Sequence, residues 1–187
     1  IPSHKPVYLT NPHRPEKAAE RLAAVTAATD ALLKACGHAR TAAINAAADA
    51  ASAVGESDIV FTATCAKAPV VKSAWVKPGT HLSCIGADMP GKEEVDPAIL
   101  RDAGVYVDDV DQCVNAGECE LAVKGGYMTR EHISGQIGEV LLGAKKGRTS
   151  ADEITVFDAT GLALLDLAVA KKIVEEAGDD PTHTIEL

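Results

Sequence analysis

A chain of 187 residues, 47% hydrophobic and 24% charged, has the length and balance for one domain with a sizeable core. Its formal net charge of −9 and lack of any basic run argue against a nucleic-acid partner. No apolar stretch reaches the length of a membrane span, and Ile1-Pro2-Ser3-His4-Lys5 does not resemble a signal peptide. The five cysteines are widely spaced, odd in number and without a Cys-x-x-Cys pair, which suits neither a disulfide framework nor a zinc site. All five are expected to be small buried hydrophobes in a cytoplasmic protein, and the dispersed histidines suggest no metal.

Pro6 to Thr10 reads as a short buried strand, and Pro15 as the first position of a helix that Gly37 stops. Ala39 to Ile44 is a weak strand and Asn45 to Val54 an Ala-rich helix broken at Gly55. The clearest buried strand is Asp58 to Thr64, a continuous apolar run rich in β-branched residues. A turn at Lys77-Pro78-Gly79-Thr80 leads into a strand from His81 to Ala87. Then come a short helix at Pro97–Ala103, a strand at Val105–Asp108, a helix at Glu131–Leu142 and a strand at Glu153–Phe157. Leu162 to Ala177 is apolar around much of its girth, which predicts a buried helix, and Asp179 to Leu187 is a loose tail.

Strands alternate with helices and are apolar throughout. That pattern predicts an α/β fold, a doubly wound parallel sheet covered on both faces, with ligands beyond the carboxyl ends of its strands. The small-residue runs after Phe61, Ile85 and Phe157 fall at such ends. A dinucleotide fold opens with a strand and a Gly-x-Gly-x-x-Gly turn, and no such turn occurs here. The expectation is therefore a Rossmann-type domain over residues 1–178 without its first strand and glycine-rich turn, followed by the tail at 179–187.

The segment Gly86-Ala-Asp-Met-Pro-Gly91-Lys92 has nearly the spacing of a phosphate loop but is rejected as one. Glu93 stands where Ser or Thr must reach magnesium, and Pro90 removes a backbone donor. Asp88, among small residues at a strand end, is the candidate acid/base, against a turn or cap aspartate. On its own Lys92 reads as a solvated turn lysine, and Thr64 as an ordinary strand terminus. Ala159-Thr160-Gly161 serves close packing or close ligand approach equally well. Asn11, His13 and Arg14 stand where a ribose is read; Asn in place of Asp, with Arg14 close by, leans to NADP, and a polar loop with a helix cap fits as well.

Three segments together resemble the ornithine cyclodeaminase and mu-crystallin family: Asp58 to Thr64, Pro78 to Lys92 and Gly147 to Ala168, in matching order and spacing, within a likeness running from about Val7 to Ala177. The resemblance implies a Rossmann-type domain binding NAD or NADP in a cytosolic homodimer acting on the C–N bond of small amino acids or imines. Asp88 matches the aspartate that serves in proton transfer. Cofactor contacts carry over to Asn11, Thr64, Ile85, Gly86, Ala87 and Lys92, with Arg14 beside the ribose-reading tip. Ala159, against the cofactor, and Thr160, against the substrate, replace the Ser and Val common in cyclodeaminases. Gly-Ala-Asp and Ala-Thr-Gly-Leu-Ala also look like the alanine dehydrogenase branch, whereas mu-crystallin lacks the Asp. The family's N-terminal substrate domain, through which the homodimer is expected to form, is not in this chain. The readings left open are deaminating cyclisation of ornithine, alanine dehydrogenase or cyclic imine reductase activity, and a non-catalytic nucleotide-binding module.

Overall fold

The structure, a computed structural model, describes residues 7–11 and 14–177. The expected start of the first strand at Pro6, the polar-tip residue His13 and the tail at 179–187 lie outside them.

Strand β1 (Val7–Leu9) is followed by helix α1 (Pro15–Ala35) and strand β2 (Ile44–Ala46). α1 opens at Pro15, where the missing N–H costs nothing, with Glu16 in its first turn. It closes in a Schellman motif: Gly37 N–H donates to Lys34 O and His38 N–H to Leu33 O, with Gly37 at φ 74°. β1 and β2 pair in parallel as a sheet of their own, Val7 opposite Ile44.

Helix α2 (Ala50–Glu56) begins later than the alanine run suggests. The Asp49 side chain accepts from Ser52 N–H at 2.7 Å and caps it there, which leaves Ile44–Ala46 to β2. Gly55 lies inside the helix instead of breaking it. Strand β3 (Ile59–Thr62) follows, then β4 (Lys67–Val71), a 3-10 turn at Ser73–Trp75, and β5 (His81–Cys84). Next come β6 (Glu93–Val95), α3 (Pro97–Asp102), β7 (Gly104–Val107), α4 (Val110–Ala116) and α5 (Glu118–Lys124). β4, β6, α4 and α5 are not anticipated by hydrophobic pattern alone.

The helix expected over Glu131–Leu142 is instead a 3-10 turn (Arg130–His132), strand β8 (Ile133–Gln136) and helix α6 (Ile137–Leu141). Pairing with β7 draws Ile133–Gln136 into the sheet, and a capping box between Gln136 and Glu139 starts the helix only after it. Strand β9 (Thr155–Asp158) and helix α7 (Ala163–Ala177) complete the described chain.

The main sheet has the order β3-β5-β9-β7-β8, all parallel; β4 and β6 form a second small parallel sheet. One face of the main sheet carries Val60, Leu82, Cys84, Val105, Val107 and Val156, packed on Ile99, Leu100, Cys113, Cys119 and Ala122 from α3 to α5. Each large apolar side chain buried there contributes about 1.5–3 kcal/mol. The alternate residues of β3, Ile59 and Phe61, face outward, Phe61 with 64% of its surface exposed. α7 corrects the sequence expectation: Leu164, Leu165, Leu167, Val169, Ile173 and Val174 are all exposed, because no described element packs over them. Cys36 and Cys65 are exposed as well, and only Cys84, Cys113 and Cys119 are buried.

Candidate active site

Parallel register brings the strand ends level: Thr62, Cys84, Asp158, Val107 and Gln136 face one another across the sheet. The ladder runs one residue further. Ile85 N–H donates to Thr62 O (3.0 Å), Ala159 N–H to Cys84 O (2.9 Å) and Asp108 N–H to Asp158 O (3.2 Å). Thr64, Ile85, Gly86, Ala159 and Thr160 are thereby gathered on one rim, at the end where open α/β sheets bind ligands.

A buried carboxylate closes that rim. Glu94 is fully buried; its Oε2 accepts from Thr62 Oγ1 and Gly86 N–H, both at 2.8 Å, and its Oε1 from Thr64 N–H at 2.5 Å. The loops after β3 and β5 meet so closely that a Cβ on Gly86 would lie 2.2 Å from Thr64 O and 2.4 Å from Glu94 Oε1.

Two glutamates of α5 anchor the same segment. The Glu118 carboxyl accepts from Glu94 N–H (2.7 Å) and Val95 N–H (3.2 Å), and Glu120 Oε2 from Gly91 N–H (2.7 Å). Burial pushes the Glu118 carboxyl up to about 8. Asp158, at the end of β9, accepts from Cys119 N–H at 3.1 Å, and burial raises it to about 6. The Gly86 and Gly91 N–H groups are thus both committed to carboxylates. A phosphate held by this loop would need those same donors.

Asp88 and Lys92 sit on the outer side of this braced loop. Lys92 Nζ donates to Asp88 Oδ1 at 2.5 Å and to Gly86 O at 3.3 Å. The Asp88 side chain is 50% exposed and Lys92 only 12%, so Lys92 is a held cation and not the solvated lysine of its isolated reading. The hydrogen bond from Lys92 holds the Asp88 carboxyl below the usual carboxylate range. Ala87 is buried and Ile85 half-exposed.

Across the rim, Asp108 fixes the loop after β9. Its carboxylate accepts from Gly161 N–H (2.8 Å), Thr160 Oγ1 (3.2 Å) and Cys113 Sγ (3.2 Å). Gly161, at φ 85°, gives the chain the left-handed turn it needs there, and Gln112 Nε2 donates to its carbonyl.

Asn11 and Arg14 follow β1, which belongs to the separate β1-β2 sheet; there Asn11 Oδ1 accepts from Arg14 N–H at 2.9 Å. The structure therefore brings together Asp88, Thr64, Ile85, Gly86, Ala87, Lys92, Ala159 and Thr160. Sequence reasoning missed Glu94, Glu118, Glu120, Asp108 and Asp158. Glu94 reads as a charge in a polar turn, and only its place one residue before apolar Val95 hints at burial. Among the described residues, no group of three or more His, Cys, Asp or Glu side chains is placed to hold a metal ion. No helix among them is long and apolar enough to cross a membrane.

Residues 19–180 match the model of the ornithine cyclodeaminase/mu-crystallin family. The chain belongs to that family. Within it, an alanine dehydrogenase of Archaeoglobus fulgidus is 46% identical over 134 residues, 72% of this chain and 42% of that protein. Among solved structures, an archaeal alanine dehydrogenase dimer with bound NAD superposes with a TM-score of 0.70 at 41% identity, over 87% of this chain and 47% of that one. The Thermococcus litoralis Delta(1)-pyrroline-2-carboxylate reductase, in complex with NADH and L-proline, gives 0.75 at 32% identity, over 93% of this chain and 50% of that one. The chain thus spans half or less of the length of each of these relatives.

Proposed function

We propose that this family member is a nicotinamide-nucleotide-dependent oxidoreductase acting on the C–N bond of a small amino acid or its imine, with Asp88 as the proton-transfer group. One observation carries the reading: a continuous hydrogen-bonded path from Thr64 through Glu94, Gly86 and Lys92 to Asp88, at the carboxyl ends of a parallel sheet.

The rim suits a flat anionic ligand. Gly86, Ala87 and Ala159 keep large side chains off the ends of β5 and β9, and Lys92 sets an ammonium beside them. Thr64, Ile85, Gly86, Ala87, Lys92 and Ala159 would hold NAD or NADP, with Asn11 and Arg14 assigned to the ribose. When bound, such a cofactor accepts or supplies the hydride. The rest of the chemistry falls to the chain's own side chains. Paired with Lys92, Asp88 is ionised at neutral pH and begins as a base. In the oxidative direction it takes a proton as water adds to the imine carbon; in the reductive direction it takes a proton from ammonium as the nitrogen adds to the carbonyl, and gives it to the hydroxyl that departs as water when the imine forms. Thr160, oriented by Asp108, faces the substrate.

The relatives described above are named for net redox reactions, and Ala159-Thr160 departs from the Ser and Val common in cyclodeaminases. Both favour alanine dehydrogenase or cyclic imine reductase chemistry over deaminating cyclisation. The same reading takes residues 1–178 as the nucleotide-binding domain of a cytoplasmic homodimer, as the solved alanine dehydrogenase is a dimer.

The test begins with NADH and NADPH binding by the full-length protein, followed by fluorescence and thermal stability. Alanine, pyruvate with ammonia, cyclic imines and ornithine are then assayed. Net redox changes NADH absorbance; cyclisation consumes ornithine without doing so. Asp88→Asn lowers turnover by about 100- to 10,000-fold while cofactor affinity stays within about threefold. Unchanged turnover in that variant refutes the role given to Asp88, and binding without turnover of any substrate leaves a nucleotide-binding module.

A further inference from the structure

We infer that Glu94 is the positioning residue of the cofactor rim: its buried carboxylate sets the shape of the two loops that receive the nicotinamide nucleotide. The inference rests on the functional reading above and assigns a role to a residue that touches neither substrate nor the reacting atoms.

The carboxylate draws its hydrogen bonds from outside its own strand. Thr62 Oγ1 and Thr64 N–H come from the end of β3 and the loop after it, and Gly86 N–H from the loop after β5. A fully buried carboxylate is costly to desolvate, and where cohesion alone is at stake an apolar side chain of similar size serves at least as well. What an apolar residue cannot do is turn peptides. A trans peptide carries its C=O antiparallel to its N–H. With the Thr64 and Gly86 N–H groups aimed at Glu94, the carbonyls of Ala63 and Ile85 point the other way, on two exposed residues. Glu94 thus orders a pair of outward acceptors at the rim, of the kind that a ligand carboxamide or hydroxyl recognises.

The brace is itself supported. Glu118 holds the Glu94 and Val95 N–H groups, Glu120 holds Gly91 N–H, and Lys92 Nζ returns to Gly86 O. The loop is pinned at Gly86, Gly91 and Glu94, and residues 88–90 between these pins project outward with Asp88 at their head.

Glu94→Gln tests this in the full-length protein. The amide keeps the shape but replaces one acceptor oxygen with a donor that faces N–H groups. NADH or NADPH affinity is expected to fall about 10-fold or more, because displacing rim atoms by an ångström suffices for such losses. Leu100→Ala, a change to the buried core in α3 away from the rim, serves as the stability control and is expected to retain wild-type affinity despite a lower melting temperature. Affinity in Glu94→Gln within about threefold of wild type, or an equal loss in Leu100→Ala, overturns the inference while leaving the functional reading intact. A wild-type protein that binds neither cofactor overturns both. If Glu94→Gln does not fold, Thr62→Val, which removes one of the three donors at nearly constant shape, decides: a loss of about threefold or more supports the role, and unchanged affinity overturns it.

Discussion

Replacing Gly86 with alanine isolates the closeness of the two loops from any backbone preference, because Gly86 is not in the left-handed region. The new methyl carbon would lie 2.2 Å from Thr64 O, a backbone atom that cannot swing aside, and 2.4 Å from Glu94 Oε1. Ordinary contact requires about 3.4 Å, so the loops must part by about 1 Å. That stretches the 2.8 Å bond from Gly86 N–H to Glu94 beyond hydrogen-bonding range. A lost bond to a charged acceptor costs about 1.5–3 kcal/mol, and residual overpacking adds about 1 kcal/mol. The expected destabilisation is about 3 kcal/mol, or a fall of roughly 6–12 °C in melting temperature. Gly91→Ala is the complementary control. Gly91 sits at φ 79° with nothing near its missing Cβ, so that variant loses only the left-handed preference, about 1–2 kcal/mol. Urea titration measures both, with an unchanged slope marking a true change in stability. A Gly86→Ala protein within about 0.5 kcal/mol of wild type would refute the claim that the rim loops are in backbone contact.

The ion pair on the outer face of the loop has a kinetic signature. Lys92 lowers the Asp88 pKa, so Lys92→Met moves the acid limb of the kcat profile, measured at saturating cofactor, to higher pH; a limb that stays put or moves down counts against Asp88 as the titrating base. Glu118, raised to about 8 in the fold from an ordinary 4.5, binds a proton that the unfolded chain releases. Its contribution to stability is fully present below pH 4.5 and is lost as pH rises to about 8, on the order of a few kcal/mol; Glu118→Gln flattens that slope in denaturation curves taken across the window, and a slope of unchanged size contradicts the assignment. In a thiol-reagent titration of this chain, Cys36 and Cys65 react at once and Cys84, Cys113 and Cys119 only after unfolding, so prompt reaction of more than two thiols would show that the core around α4 and α5 opens readily.

Much of this molecule was legible in one dimension. Apolar strands between helices imply a parallel sheet because strands joined by crossovers, with helices on both faces, are written as continuous apolar runs. Small residues after Phe61, Ile85 and Phe157 marked the carboxyl ends, and the Gly86–Lys92 segment supplied the candidate acid/base. Caps and stops that act through neighbouring residues, such as Pro15 at the head of α1 and Gly37 at its tail, were legible for the same reason.

What the fold alone decided depends on residues far apart in the chain. Ile133–Gln136 became a strand because β7 offered it a ladder, although its own pattern reads as helix. α7 is apolar enough for a core, yet whether a helix is covered depends on what packs over it. Glu94 shows the difference most sharply: a glutamate in a charged turn looks solvated until Thr62, Thr64 and Gly86 converge on it. Local propensity and periodicity act over a few residues and can be read from order alone. Burial of a carboxylate is decided by partners eight to thirty-two positions away, and those meet only once the sheet has set its register.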